Sequence, residues 1–170
     1  MKVLIVVDMQ NDFINGSLGT PEAEAVVTNV EKKIREWEGL VVATRDTHSA
    51  NYLETQEGRN LPVVHCVEDT DGWQINPQIQ AALDEKGAQT INKPTFGSVA
   101  LAMMLMQCGV SEIQLVGLCT DICVVSNALL LKANMPEVPI SVDASCCAGV
   151  TPAKHDAAIE TMKSCQINIL

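Results

Sequence analysis

A chain of 170 residues, 47% of them hydrophobic and none in a long low-complexity tract, has the size of one domain with a sizeable core, and one domain over residues 1–170 is expected. Its 21 acidic residues against 11 basic ones give a formal charge of −10, which repels phosphate backbones and anionic membrane surfaces and so excludes nucleic-acid and membrane partners. The apolar runs fall far short of the roughly 20 residues of a membrane span, and seven cysteines without paired C-x-x-C spacing read as reduced thiols of a cytoplasmic chain, not as a disulfide framework.

"KVLIVV" at 2–7 is almost continuously apolar, as in a strand buried on both faces, and it follows Met1 with no signal-peptide pattern. The spacing of Val26, Val30 and Ile34 behind Pro21 predicts a helix over 21–37. A strand at 40–45 follows. The stretch from about 46 to 75 has no clear period and is too long for a simple turn, which marks it for function. Beyond it the pattern predicts a helix at 76–86, a strand at 88–92, a helix at 98–108 and a strand at 112–118. A helical run after Cys123, a strand at 138–142, a helix at 152–164 and the closing strand "INIL" complete the chain. Six strands joined by helices predict an α/β fold: a three-layer, Rossmann-like architecture with a six-stranded, mostly parallel sheet and helices on both faces. Ligands of such sheets bind outside the carboxyl ends of the strands.

Asp8 ends the first strand, Arg45 and Asp46 the second, Lys93 follows the third, and Cys119 to Cys123 follow the fourth. Taken singly, Asp8 reads as a loop cap and Lys93 as a surface lysine before a turn. Cys123 stands just inside a helix start, where backbone N–H groups and the helix dipole lower a thiol pKa from about 8.5. Cys119 extends a strand and reads as an ordinary buried thiol. Phe13 and Phe96 border these positions as candidate contacts for a flat substrate, with core packing the alternative, and Trp73 has the same standing. Met103, Met104 and Met106 read as core, His155 as a packing or capping residue away from the strand ends, and Cys146 and Cys147 as free thiols.

"DMQNDF" at the amino end, "NKPTFGS" in the middle and "GLCTDICVVSNA" after the fourth strand together resemble the three signatures of the isochorismatase-like cysteine hydrolase superfamily, which includes nicotinamidases. The resemblance spans nearly the whole chain. It implies a catalytic triad of Asp8, Lys93 and Cys123, a non-proline cis peptide between Leu118 and Cys119, and an oxyanion hole from the amides of Cys119 and Cys123. It implies a nucleophilic cysteine whose proton passes to the carboxylate and whose thiolate is favoured by the ammonium, with a thioester intermediate.

The nicotinamidase-like branch also carries a D-x-H pair and a later histidine that bind a divalent metal. Asp46, His48 and His65 match that pattern, and Glu57, or less well Glu54, is placed to add a fourth ligand. Without a metal, Asp46 caps a turn and both histidines pack a loop. Such donors suit zinc, iron or manganese. The function implied is metal-assisted hydrolysis of a small amide, nicotinamide to nicotinate plus ammonia. Other family substrates, an N-carbamoyl amide or an isochorismate-like vinyl ether, are the alternative. A non-catalytic partner-binding domain of the same fold is a third reading, against which the intact Asp, Lys and Cys set argues. The expected partner is a small-molecule substrate, and assembly into a homo-oligomer is left open.

Overall fold

Successive side chains of β1 (Lys2–Val7) point to opposite faces, and all but Lys2 are buried, so this strand needs cover on both sides. The computed structural model describes residues 1–170 and supplies that cover. After β1 come α1 (Asn11–Ile14), α2 (Pro21–Glu36), β2 (Leu40–Asp46), a 3₁₀ turn (Tyr52–Glu54), α3 (Gln56–Asn60), α4 (Pro77–Glu85) and β3 (Gln89–Lys93). The second half holds α5 (Val99–Met106), β4 (Glu112–Leu118), a π-helical turn (Thr120–Val124), α6 (Val125–Asn134), β5 (Ile140–Ala148), α7 (Pro152–Ser164) and β6 (Asn168–Ile169). Leu4 and Val6 pack with α2 and α4, whereas Val3, Ile5 and Val7 pack with α5, α6 and α7. No helix is long and apolar enough to cross a membrane.

The sheet order is β3-β2-β1-β4-β5-β6, and every pairing is parallel, which makes the sheet more regular than the mostly parallel one expected. The order reverses direction at β1 and β4, the point where a doubly wound sheet opens a crevice at its carboxyl edge. Gly117 lies there. Its φ is 116°, and a β-carbon would sit 2.1 Å from the Val7 carbonyl oxygen, so only glycine lets β4 press against the end of β1.

Two elements differ from expectation. β5 runs to Ala148, because its register slips between the pairings of Val142 with Leu115 and of Cys147 with Gly117. The extra residues place Asp143 2.7 Å from the Lys33 ammonium of α2, with the Ser145 hydroxyl donating to Asp143 Oδ1 at 2.6 Å. In α5 the buried side chains are Leu101, Ala102 and Leu105, while Met103 and Met106 are 53% and 47% exposed. The expectation of three core methionines therefore holds only for Met104, which packs on the core. "VALAMMLM" has no polar residue to reveal its outer face, and that face is chosen by packing.

Burial would raise the Asp143 carboxyl, but hydrogen bonds from Lys33 and Ser145 outweigh it and hold the pKa below the ordinary value. A folded pKa below the unfolded value of about 3.9 stabilises the protein above that pH and loses the contribution as pH falls through the folded value. Asp143→Asn is expected to cost roughly 1 kcal/mol at neutral pH, a figure kept small because Lys33 is partly solvated. In urea unfolding the gap between the two proteins should shrink on going from about pH 7 to about pH 3. A gap that is the same at both would remove the ion pair as its cause.

Candidate active site

Four strand ends supply the polar groups. Asp8 follows β1 with φ 48°, is fully buried, and accepts a hydrogen bond at Oδ1 from the Thr44 hydroxyl at 2.7 Å. Lys93 closes β3 and is 1% exposed. Its ammonium lies 2.7 Å from Asp8 Oδ2, 3.3 Å from Asp46 Oδ1 and 3.4 Å from the Cys123 sulfur, and it donates to the Thr95 carbonyl at 3.1 Å. Asp46 and Lys93 are direct partners in the β2–β3 register, so the sheet itself sets that contact. Cys123 stands in the π-helical turn, and the Leu118–Cys119 peptide leading into the turn is cis.

The charge balance differs from the helix-start picture. Cys123 is 4% exposed within a π-helical turn, ahead of α6 rather than at its start. Burial first, then the negative charge of Asp8, push the thiol well above its ordinary pKa, and Lys93 only partly offsets them. The expected lowering of the resting thiol pKa is thus reversed, because desolvation of the thiolate exceeds the help of one ammonium. Burial also raises the Asp8 carboxyl, against the pull of Lys93. Lys93 keeps its proton: burial disfavours the charge, but Asp8, Cys123 and Asp46 surround it. Burial pushes Cys119 up to about 12, and the Lys93 ammonium that could favour a thiolate sits against the Cys123 sulfur instead.

The irregular connection after β2 folds back over these strand ends. It brings Asp46, His48, Glu57 and His65 together, each offering one donor atom and all four within 4.8 Å of one another. His48 Nε2 is 3.0 Å from Asp46 Oδ2 and 3.6 Å from Glu57 Oε1, and His65 Nε2 is 3.7 Å from both carboxylates. A tetrahedral ion with bonds of about 2.0–2.2 Å needs donors about 3.3–3.6 Å apart, so the set fits one divalent ion. His65 Nδ1 donates to the Val63 carbonyl at 2.8 Å, which leaves Nε2 with its lone pair for a ligand. Glu54 is not in the cluster.

Several supporting residues carried no assignment in the sequence. Gln10, fully buried, donates to the Asp46 and Trp73 carbonyls at 2.9 Å and accepts from the Asp46 N–H at 2.7 Å, so one side chain fixes Asp46 from both sides. Asp12 accepts from the Cys66 N–H at 2.7 Å, beside His65. Both lie inside "DMQNDF", where an amide and a second acid after Asp8 were the available signal. Tyr52 is buried with its ring 4.7 Å from that of His48 and 4.9 Å from that of His65; nothing in the sequence marked it.

Cys123, Cys119 and the four donor residues border one cavity of about 540 Å³. Phe13 and Phe96 both line it, Phe13 buried and Phe96 42% exposed. Trp73 does not: it is buried, donates to the Thr47 hydroxyl at 2.9 Å and carries the Arg45 guanidinium 3.4 Å from its ring centre. His155 is nearer the site than expected, its Nδ1 2.8 Å from the Thr120 hydroxyl at the head of the π-helical turn. All seven cysteines are free.

Residues 2–170 match the isochorismatase domain family. The chain is 31% identical to the nicotinamidase/pyrazinamidase of Mycobacterium tuberculosis, covering all of this chain and 98% of that protein. It is 26% identical to the nicotinamidase of Saccharomyces cerevisiae, covering 100% and 99% of the two. Among solved structures, the pyrazinamidase of Pyrococcus horikoshii in complex with zinc superposes with a TM-score of 0.83 at 29% identity, over 99% of this chain and 98% of the other. A match over almost every residue, on a fold whose strand ends gather the acid, lysine and cysteine of the three motifs, makes this chain a member of the isochorismatase family.

Proposed function

We propose that the chain is a single-domain, cytoplasmic cysteine amidohydrolase that converts nicotinamide to nicotinate and ammonia. The observation that carries the reading is that Cys123 and the four-donor cluster line the same cavity. Relatives named nicotinamidase over their full length support the substrate, and the zinc in the Pyrococcus relative supports a metal at Asp46, His48, Glu57 and His65. A divalent ion bound there would act as a Lewis acid toward a ring nitrogen.

The chain's own residues carry the reaction. The Cys123 thiol, protonated at rest, gives its proton to Asp8 as the sulfur attacks the amide carbon, so the thiolate exists only where Lys93 can stabilise it. The amides of Cys119 and Cys123 receive the developing oxyanion. Asp8 then protonates the departing ammonia, leaving a thioester on Cys123. A water molecule, deprotonated by Asp8, hydrolyses the thioester and returns the proton to sulfur. Phe13 and Phe96 bracket the flat ring.

Ammonia release from nicotinamide and from benzamide tests the reading, because benzamide has the same outline without the ring nitrogen. Nicotinamide is expected to be favoured at least about 100-fold in kcat/KM, and metal stripping should remove the preference. Equal kcat/KM for the two amides in the metal-loaded protein would reject nicotinamide as the substrate.

A further inference from the structure

Asn127 joins the nucleophile to the cavity wall. It lies on α6 four residues after Cys123 and is fully buried. Its Nδ2 donates to the Cys123 carbonyl at 2.8 Å and to the Phe96 carbonyl at 3.1 Å, while Oδ1 accepts from the Ser98 N–H at 2.9 Å. Both N–H groups and the carbonyl of the amide are therefore in use. The partners lie on two separate segments. One is the π-helical turn that holds the nucleophile; the other is the strap from Pro94 to Ser98, between β3 and α5, whose Pro94, Thr95 and Phe96 form part of the cavity wall.

The strap is fixed at few other points. At its start the Lys93 ammonium donates to the Thr95 carbonyl, and at its end Ser98 caps α5 by accepting from the Leu101 N–H at 3.1 Å. Phe96 is 42% exposed, so packing alone holds its ring weakly, and its place over the cavity follows from the backbone bonds on either side.

We infer that Asn127 is a positioning residue that sets the distance between the Cys123 sulfur and the Phe96 wall, and through that distance the orientation of the substrate. The inference rests on the amidase reading above. An asparagine is suited to the task because its amide donates twice and accepts once. A threonine on a helix reaches only the carbonyl four residues back, here that of Cys123.

That difference separates the two arms of the link. Asn127→Ala frees both and is expected to lower kcat about tenfold and raise KM about tenfold, whereas Asn127→Thr should recover kcat to within about threefold of the parent while KM stays about tenfold high. A merely structural role would lower the folded fraction and leave KM unchanged. Brief iodoacetamide labelling of Cys123 without substrate gives a second reading: the Ala variant should label at least about threefold faster as the turn loosens, and the Thr variant at the parent rate. Should the Ala variant not fold, a raised KM in the Thr variant alone supports the inference. An unchanged KM in the Thr variant overturns it. If the parent protein releases no ammonia from nicotinamide, the proposed reaction falls, and the labelling comparison decides about Asn127: equal rates in all three proteins overturn it.

Discussion

Cys123→Ala is expected to abolish turnover, by at least about 10⁴-fold, because the thioester route has no other nucleophile in the cavity. Cys119 cannot substitute, since the Lys93 ammonium that would stabilise a thiolate lies 3.4 Å from the Cys123 sulfur and makes no such contact with Cys119. The alanine variant should keep its fold, because the Asp8–Lys93 ion pair at 2.7 Å does not involve the sulfur. Asp8→Asn makes an informative partner. It removes the proton acceptor and should lower kcat by about 10²–10⁴. It also leaves the buried ammonium with Asp46 Oδ1 at 3.3 Å as its remaining carboxylate, so a loss of thermal stability should accompany the loss of rate. Single-turnover assays and thermal unfolding of both variants separate the two effects. Full activity in either would reject the triad, and an unfolded Cys123→Ala protein would show that the thiol's packing had been misjudged.

His48→Ala should drop the metal content of purified protein from about one equivalent to under about a tenth, and turnover by at least about 100-fold. The reason is geometric: His48 Nε2 is within 3.6 Å of both carboxylates of the cluster, so its removal leaves Asp46 and Glu57 facing each other with His65 alone between them. Elemental analysis reads the first effect and ammonia release the second. Glu57→Ala should behave in the same direction and Glu54→Ala should not, because only Glu57 brings a donor atom within the cluster. Metal retained by His48→Ala at the parent level would place the ion elsewhere.

These variants probe parts of the site that were unequally visible beforehand. Asp8, Lys93 and Cys123 could be marked from the sequence because each follows a strand at the carboxyl edge and each lies in a recognisable motif. Asp46, His48 and His65 were marked by spacing, and Glu57 only as one of two acids. What spacing cannot express is which of two nearby side chains turns inward, and here α3 decides it by carrying Glu57 toward the histidines.

Gln10, Asp12, Tyr52 and Asn127 were missed for a related reason. Their work is to bond backbone groups or pack against rings 30 or more positions away along the chain in several cases, as Gln10 does with Asp46 and Asn127 with Phe96. A local pattern holds no record of such partners. The direction of the Cys123 shift differs for the same cause: helix position suggested a lowered pKa, but burial and the charge of Asp8, against the pull of Lys93, raise it, and these act only once four strand ends meet.

The sequence by itself determined the six-strand alternation and the depth of β1 in the sheet, because periodicity and apolar run length are local properties that burial must obey; the proposed triad came instead from the resemblance of three short motifs to a family. Tertiary structure alone decided the strand order, the outward face of α5, the slipped register of β5, the upward shift of the Cys123 thiol pKa and the side chains that surround it. Each of these depends on which distant segments share a low-dielectric space, and that arrangement is fixed only when the whole chain has packed.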